Sequence, residues 1–459
     1  MKKHLFSILF ICLCTAGYAQ FDSQNISLLG RFNDLAVNPE PTYGIRYQAC
    51  WGWADTLTGK EYGILGSTAG TYILEVTDPT NPVLRDYIPH YQNDLIWHEY
   101  KTIGNYLYII SDDAGTNTLQ IADLSYLPDS VNVIYDSTSL FVHAHTLFID
   151  GTHLYVASVT GGPGGFSSMN VYSLANPAAP TLLRKLNQDF SNINSVHDMF
   201  VSNDTIYASC GYQGLFIYHY DSTLNRFTQL GSLTTYPDQG YNHSSVLSLD
   251  HSTLYMCDEV PAGMATKIVD VTTISSPTVV DTFYSNRGDT PHNPYVEGNF
   301  LYMANYMDGV YVYDISNPNT PVKVGYFDTY PDNAPGVYPS PAYKGCWSVY
   351  TELPSGILLA SDMQRGLFCL DISTITSISK PDAQTFLLFP NPADNQVTVK
   401  LPSTLKNVRV TLIESTGRIV SSLNASDLAI IETTHLARGL YFINVTANGY
   451  SHSEKLILN

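Results

Sequence analysis

One motif recurs along this chain, and its period constrains the fold more than any other feature of the sequence. The clearest copies are Tyr311–Val322 (YVYDISNPNTPV) and Ile73–Val83 (ILEVTDPTNPV). Seven copies can be aligned at intervals of roughly fifty residues, the range in which β-propeller blades fall. The residues at their shared, usually acidic position are Glu75, Asp123, Ser173, His219, Asp270, Asp314 and Asp371.

Each unit contains four short stretches of β-branched and aromatic residues separated by turn residues. In the sixth unit the turns are Glu297–Asn299, Met307–Gly309 and Asn317–Asn319. A four-stranded sheet repeated seven times predicts an all-β, seven-bladed propeller, here over residues 20–374. The seventh unit lacks a fourth strand, and the segment 26–32 resembles one. We therefore predict that this N-terminal segment completes blade seven and closes the ring.

The N-terminus has the pattern of an export signal. Lys2 and Lys3 precede the apolar run Leu5–Leu13, and Gly17–Ala19 is a small-residue cleavage pattern. This pattern predicts a cleaved signal peptide over residues 1–19. No later stretch is long and apolar enough to predict a transmembrane segment.

The charge balance excludes one class of partner. The chain has 22 Lys and Arg against 41 Asp and Glu, a formal net charge of −19. Such a surface repels phosphate backbones, so we do not expect the protein to bind nucleic acid.

The C-terminal segment differs in character from the repeats. It contains Leu388–Ala393 (LFPNPA), Ser415–Arg418 (STGR) and Gly439–Phe442 (GLYF) within alternating strand patterns. We predict a linker at 375–384 and a small Ig-like β-sandwich at 385–459. This segment strongly resembles the type A C-terminal sorting domain of type IX secretion substrates. The resemblance implies the type IX machinery as a partner, passage through the periplasm and outer membrane, and a final place on the cell surface or outside the cell.

Histidines recur at the start of the first strand of successive units. The aligned residues are Trp51, His98, His145, His197, His243, His292 and Trp347. First strands line the channel of a propeller, so we expect these side chains to form a ring at one mouth. Carboxylates are expected at the same mouth, because Asp198 follows His197 and because Asp258 and Glu259 end a neighbouring second strand. All seven aligned residues and Asp198 are therefore candidates for ligand binding.

The chemistry of this ring permits several interpretations. Neutral imidazole and carboxylate are ligands of Zn²⁺, Cu²⁺ and Fe²⁺, so a divalent transition metal is a candidate cofactor. The candidate metal ligands are His145, His197, His243, His292, Asp258 and Glu259. The same groups could supply general acid–base catalysis, although no residue can be assigned as catalytic. The ring could instead be structural, one hydrogen-bonded polar residue per blade copied by duplication.

The positions of the cysteines suggest one disulfide bond that would close the ring. Without the signal peptide five cysteines remain, an odd number that leaves at least one thiol unpaired. Cys50 and Cys346 occupy the same register on blades that would be neighbours in a closed ring. They are the candidate pair for a disulfide, provided that their Cα atoms lie within about 7 Å.

Several motifs of the propeller occur in combination. They are Cys50–Tyr62 (CWGWADTLTGKEY), Ala144–Leu147 (AHTL), Val196–Asp198 (VHD), Asn242–His243 (NH), Pro291–Asn293 (PHN) and Ser361–Phe368 (SDMQRGLF). With them the chain resembles the choice-of-anchor B family of LVIVD-repeat proteins from about Asn25 to Asp371. The family pattern contains the histidines at 145, 197, 243 and 292. It more often has Arg followed by Asp at the position of His98, so this chain departs from it there. The resemblance implies varied surface anchoring and no characterised activity.

These observations leave three hypotheses for the function. The first is an exported, non-enzymatic propeller that binds a surface protein, a glycan or a small ligand. The alternative is a metal-dependent enzyme, a hydrolase or an oxidase, that uses the histidines and carboxylates of the channel mouth. The third is a structural surface protein without a ligand.

Overall fold

The computed structural model describes most of the chain. The described residues are 21–113, 115–162, 165–333, 336–339, 343–378, 386–401, 408–414, 418–447 and 450–458. The predicted signal peptide, part of the predicted linker and most of the STGR motif lie outside these ranges. The chain divides into two compact units, one ending at Ser377 and the other beginning at Ile378.

The first unit contains seven antiparallel sheets among the described residues: six have four strands, and that of blade six has a fifth, two-residue strand from the N-terminal segment. Before the first blade come β1 (Ser23–Gln24) and β2 (Ser27–Phe32). Blade one comprises β3 (Tyr47–Asp55), β4 (Lys60–Ser67), β5 (Gly70–Glu75) and β6 (Val83–Pro89). Blade two comprises β7 (His98–Ile103), β8 (Tyr106–Ser111), β9 (Leu119–Asp123) and β10 (Asn132–Ser137). Blade three comprises β11 (Leu147–Asp150), β12 (His153–Val159), β13 (Ser167–Ser173) and β14 (Thr181–Lys185).

The remaining blades continue the same order along the chain. Blade four comprises β15 (Asp198–Ser202), β16 (Thr205–Ser209), β17 (Leu215–Asp221) and β18 (Arg226–Leu233). Blade five comprises β19 (Asn242–Leu247), β20 (Thr253–Asp258), β21 (Thr266–Asp270) and β22 (Thr278–Phe283). Blade six comprises β23 (Pro291–Glu297), β24 (Phe300–Asn305), β25 (Gly309–Asp314) and β26 (Val322–Phe327). Blade seven comprises β27 (Cys346–Tyr350), β28 (Leu358–Asp362), β29 (Gly366–Asp371) and the N-terminal β2. Short 3₁₀ turns lie at Leu124–Tyr126, Leu186–Gln188 and Tyr306–Asp308.

The seven sheets form a closed ring. The first strand of each blade contacts the first strands of both neighbouring blades, and β27 of blade seven returns to β3 of blade one. Burial follows from this packing. The second and third strands of blade one are buried on both faces because neighbouring blades cover them, whereas its outer strand β6 is largely exposed. The predicted all-β propeller is therefore confirmed.

The N-terminal segment joins blades six and seven. Strand β2 pairs antiparallel with β29, while β1 pairs with β26 on the outer edge of blade six. Between the two strands Ile26 enters the core of these blades and is 3% exposed. Gly30 in β2 passes so close to blade one that a Cβ there would lie 2.3 Å from the carbonyl oxygen of Pro79.

β-Bulges displace residues at the start of several first strands. The ladder skips one residue at His243 in blade five, at His292 in blade six and at Trp347 in blade seven. In blade one it skips Gln48 and Ala49. A bulged residue leaves the ladder and its side chain is re-aimed, which affects the site described below.

The helix α1 (Ser373–Ile378) follows the last strand of the propeller. Its Ile375 is 1% exposed and packs with Ile26 and Ile372. Residues 375–377, assigned above to the start of the linker, thus belong to the first unit, because the side chain of Ile375 packs in its apolar core. No helix among the described residues is long and apolar enough to cross a membrane.

The second unit is a small β-sandwich. One sheet has the order β30 (Leu387–Phe389), β31 (Gln396–Lys400), β34 (Leu428–Glu432), and the other has the order β33 (Ile419–Ala425), β32 (Val408–Glu414), β35 (Gly439–Ala447), β36 (Tyr450–Leu458). Alternate residues of both sheets, such as Val397 and Val410, form a single buried core. The predicted sandwich class of this segment is confirmed.

The closing segment should contribute measurably to stability. We expect Ile26→Ala to lower the free energy of unfolding by about 2–4 kcal/mol, because it leaves a cavity between blades six and seven. Leu28→Ala is the matched control, since Leu28 belongs to the same segment but is 39% exposed. Urea unfolding followed by tryptophan fluorescence measures both. Equal effects of the two changes would contradict the packing role of Ile26.

Candidate functional site

Four of the aligned histidines form a continuous row of rings around the channel. The ring centroids lie 4.0 Å apart for His145 and His197, 4.4 Å for His197 and His243, 4.4 Å for His243 and His292, and 4.1 Å for His292 and Trp347. Each pair joins adjacent blades, so the row runs from blade three to blade seven. Its end at Trp347 contacts Trp97 of blade two, 5.3 Å away.

Trp51 lies outside this row, contrary to the expectation from its register. The bulge of blade one lies at Gln48 and Ala49, which precede Trp51 by three and two residues. Gln48 therefore occupies the position that the bulged residues of the other blades occupy. The Trp51 ring instead packs on Tyr350 at 4.7 Å, and the Lys101 ammonium lies 4.2 Å from its centroid.

His98 borders the channel but has a different set of partners. Its Nδ1 lies 2.8 Å from Oε1 of Gln48, and its ring stacks on His90 at 4.2 Å. Burial, followed by the neighbouring His90, lowers the pKa of His98 well below its usual value. His98 is therefore a neutral, fully hydrogen-bonded residue that stands apart from the row of four.

Three residues of the mouth form a geometry suited to a metal ion. One donor atom each from His197, His243 and Glu259 lie within 4.8 Å of one another, the one such group among the described residues. Burial lowers the pKa of His243 to about 3 and that of His197 well below its usual value, so both imidazoles are neutral. Glu259 Oε2 lies 4.0 Å from Nε2 of His243. Its Oε1 accepts a hydrogen bond from the buried phenol of Tyr306 at 2.6 Å.

His292 has a lone pair without a partner. Its Nδ1 lies 2.7 Å from the carbonyl oxygen of Trp347. A carbonyl only accepts, so Nδ1 carries the proton. Burial lowers the pKa of His292 to about 3, so the ring is neutral and Nε2 is an acceptor. This Nε2 is buried and has no hydrogen-bond partner in the described chain, as is also true of Nδ1 of His243.

His145 is held by Asp112, an acid in the loop after the second strand of blade two, where the repeat pattern predicts carboxylates at the channel mouth. Asp112 accepts from Nδ1 of His145 at 2.7 Å and also contacts His143 at 3.1 Å. Burial alone would lower the pKa of His145, but the hydrogen bond and the charge of Asp112 outweigh burial, and the pKa is raised. Its Nε2 faces Nε2 of His197 at 3.0 Å, and Nδ1 of His197 meets the hydroxyl of Tyr241 at 3.1 Å.

Asp258 does not take part in this cluster, although it was a candidate metal ligand. It forms an ion pair with Lys267 at 2.9 Å, with both side chains fully buried, and accepts from Tyr236 and from the amide of Gly240. Its neighbour Glu259 points into the mouth. The alternation of side chains at the end of a strand sends these two carboxylates to opposite sides.

Asp198 borders a cavity in the channel. With Glu99 of blade two it lines a space that is also bordered by His145, His243 and His292. Burial raises the pKa of both carboxyl groups. The channel thus combines carboxylates, neutral imidazoles and one histidine with a raised pKa.

The candidate disulfide is not formed. Cys50 and Cys346 are both free and buried, like the other cysteines of the described chain. Both thiols face the backbone of Ser348, whose carbonyl oxygen lies 3.5 Å from Sγ of Cys50 and 3.8 Å from Sγ of Cys346. The strand β27 thus supplies Ser348, and not Cys346, as the direct neighbour of Cys50. Burial raises the pKa of Cys50 to about 11, so this thiol is unreactive.

Comparison with known proteins identifies the tail. Residues 387–459 match the model of the secretion system C-terminal sorting domain. The chain is therefore exported by the type IX system to the cell surface or the extracellular space. A search of curated proteins finds no match.

Solved structures with a similar arrangement include three with low sequence identity. PorZ, described as a surface component of the type IX secretion system of Porphyromonas gingivalis, is 13% identical at a TM-score of 0.40; the alignment covers 87% of this chain and 64% of PorZ. The periplasmic gluconolactonase PpgL of Pseudomonas aeruginosa is 13% identical at 0.47, with 84% and 99% covered. The computationally designed protein Ika8 is 7% identical at 0.44, with 70% and 82% covered.

The ion pair of Asp258 leads to a prediction. We expect Asp258→Ala to lower the free energy of unfolding by about 3–5 kcal/mol, because it leaves the Lys267 ammonium buried without its partner. The matched control is Asp281→Ala, an exposed position in the same blade, with an expected effect within about 0.5 kcal/mol. Chemical denaturation measures both variants. A loss at Asp258 no larger than that at Asp281 would refute a structural role for this ion pair.

Proposed function

We propose that the exported propeller is a ligand-binding protein of the LVIVD-repeat, choice-of-anchor B type. Its channel mouth binds one divalent transition-metal ion through His197, His243 and Glu259. The observation that supports this proposal is the convergence of one donor atom from each residue within 4.8 Å. Zn²⁺, Cu²⁺ and Fe²⁺ are the ions that combine imidazole nitrogen with carboxylate oxygen.

The protonation states of the histidines at the channel mouth favour metal binding. Binding requires unprotonated imidazoles, and burial lowers the pKa of His197 and His243 far below neutral pH. The outer contacts also suit a metal centre. Tyr306 donates to Glu259 and Tyr241 meets Nδ1 of His197, the kind of contact that orients metal ligands.

Three protein ligands leave a coordination position for a further group. In a tetrahedral site that position takes water or a donor atom of a bound molecule. An exported protein with such a mouth would bind a partner, a glycan or a small ligand through an oxygen or nitrogen atom of that molecule. The sorting tail is consistent with this role, because it brings the propeller to a place where such ligands are met.

A second candidate function is a metal-dependent hydrolase or oxidase. The observation that favours it is the Asp112–His145 pair, whose imidazole lies 3.0 Å from the proposed ligand His197. A histidine oriented by a carboxylate is a common general base. In the binding protein this pair would only position His197, whereas in an enzyme the imidazole of His145 would accept a proton from a water molecule or substrate held at the mouth.

Metal content tests the proposal. We expect the purified exported protein to contain about one equivalent of a transition metal by elemental analysis. His243→Ala and Glu259→Gln should each remove most of it, because each deletes one of three ligands. His251→Asn is the control, since His251 lies in an exposed turn between β19 and β20. A metal-free wild type that also fails to take up Zn²⁺, Cu²⁺ or Fe²⁺ would refute the proposal.

The phenol of Tyr306 should tune the affinity of the same site. Tyr306→Phe removes the hydrogen bond to Glu259 and leaves the ring packing in place. We expect the affinity for Zn²⁺ to fall by about 10–100-fold. Competition with a chromogenic chelator measures this change. Unaltered affinity in a correctly folded Tyr306→Phe variant would exclude an orienting role for the phenol.

A further inference from the structure

The three-stranded sheet of the sorting domain has an outer face that the core of the sandwich does not use. Residues opposite each other in neighbouring antiparallel strands share a face, so the register of β30, β31 and β34 gives its composition. Eight residues in three rows point outward: Phe389, Thr398 and Ile430 in the middle row, Leu387, Lys400 and Leu428 in the row on one side of it, and Gln396 and Glu432 in the row on the other.

Four of these eight side chains are large, apolar and about half exposed. Leu387, Phe389, Leu428 and Ile430 have exposed fractions between 47% and 58%. They lie on both sides of β31, and the aliphatic stem of Lys400 lies between the two leucines. Together they form one continuous apolar patch. Scattered exposed apolar residues are ordinary, whereas a contiguous patch marks an interaction surface.

The other sheet of the sandwich has a different outer face. There Leu440 and Ile457 lie opposite each other and are 41% and 47% exposed. The two rows that follow carry Lys455 and Asn444, so polar groups interrupt the apolar surface. The two faces belong to one domain and offer a leucine and an isoleucine at similar exposure. They therefore provide matched positions for substitution.

Two charges of opposite sign stand at opposite ends of the apolar patch. Lys400 lies in one outer row and Glu432 in the other, with the row of Ile430 between them. Both side chains are exposed, and neither forms an ion pair or a hydrogen bond with another described residue. Each charge is thus available to a group that comes onto this face from outside.

This arrangement is complementary to itself. A two-fold axis parallel to the middle row lays the face on a second copy with the outer rows exchanged. Phe389 and Ile430 then meet their own equivalents at the centre. Lys400 of each copy faces Gln396 of the other, with Glu432 one strand aside, about 4.8 Å away and within reach of a lysine. An axis along the strands would instead bring Lys400 onto its own equivalent, which is repulsive.

The charge of the sorting domain permits such a contact. Residues 387–459 contain six of the 22 Lys and Arg of the chain and five of its 41 Asp and Glu. The large negative charge therefore lies in the rest of the sequence, and the propellers of two copies repel each other. Two copies of the chain meet with least repulsion through their sorting domains.

We propose that the tail-bearing chain associates with a second copy of itself through this face of the sorting domain. The face measures about 14 Å by 17 Å, from the spacing of three strands and the rise of five residues. Stable interfaces bury about 800 Å² on each partner, so the association is weak and depends on concentration. It does not involve the channel mouth, and it therefore goes beyond the proposed metal function and does not depend on it.

Sedimentation velocity of the full chain without its predicted signal peptide tests this proposal. The interface is small, so we compare protein concentrations from about 10 µM to about 500 µM. We expect the sedimentation coefficient to rise with concentration, as for a monomer and dimer in equilibrium. Leu428→Thr combined with Ile430→Thr should weaken the association by about tenfold or more, because each dimer loses four apolar contacts. Leu440→Thr combined with Ile457→Thr, the same changes on the other sheet, should behave like the wild type.

Charge variants test the symmetry of the contact. Lys400→Glu and Glu432→Lys should each weaken the association by about tenfold, because charges of like sign then face each other. The chain that carries both changes should associate like the wild type. An equimolar mixture of the two single variants should associate more tightly than either alone, since every contact then joins opposite charges. A wild type that is monomeric throughout, unchanged association of the Leu428 and Ile430 variant, or no recovery in the mixture would overturn the proposal.

Discussion

Closure of the ring is the constraint on which the rest of this structure depends. A propeller blade buries its inner strands only if a blade lies on each side, so the last blade must meet the first. Here the first strands contact one another all the way round, and the outermost strand of blade seven comes from the opposite end of the repeat region. Hydrogen bonds between β2 and β29 therefore join residues more than three hundred positions apart. The same segment also pairs with blade six, which ties the junction on both sides.

The closed ring determines the chemistry of the channel. Seven first strands converge on one axis, and residues at their starts are withdrawn from water from every direction. Withdrawal from water disfavours a charged imidazole, and the pKa of His243 and of His292 is lowered to about 3. His145 is the exception because Asp112 compensates its charge. The pKa of one repeated residue type is thus shifted in opposite directions, down by burial at His243 and His292 and up by neighbouring carboxylates, Asp112 foremost, at His145.

Much of the architecture could be predicted from the sequence because repetition makes it visible. The period, the turn residues and the orphan strand before blade one together predicted a propeller, and the motifs of the tail predicted the sorting domain. The register of the four clustered histidines was visible for the same reason. The sequence did not reveal where β-bulges shift residues out of the repeated register. A bulge at Gln48 and Ala49 moves Trp51 away from the place that simple alignment assigns to it, and no turn residue marks that bulge.

Partnerships between blades were beyond a reading of the sequence. Asp258 looked like a ligand by its position beside Glu259, yet Lys267 on the next strand neutralises it in the interior. Tyr306 holds Glu259 of the neighbouring blade, and nothing in its spacing along the chain indicates this contact. The position of Asp112 in the repeat predicted a carboxylate at the mouth, but not that it would pair with His145. The cysteines illustrate the same point, since sharing a register placed Cys50 opposite Ser348 and not opposite Cys346.

Positions at which one blade differs from the others are more informative than positions that all blades share. A polar residue that recurs at the position after the aligned channel residue can be explained by the need to join one blade to the next, as Thr146 and Asn293 do in blades three and six. Glu99 and Asp198 cannot make that contact, and the closed ring holds them near unpartnered imidazole nitrogen. Glu99 instead lies 3.7 Å from the ammonium of Lys101, an ion pair that offsets part of its charge.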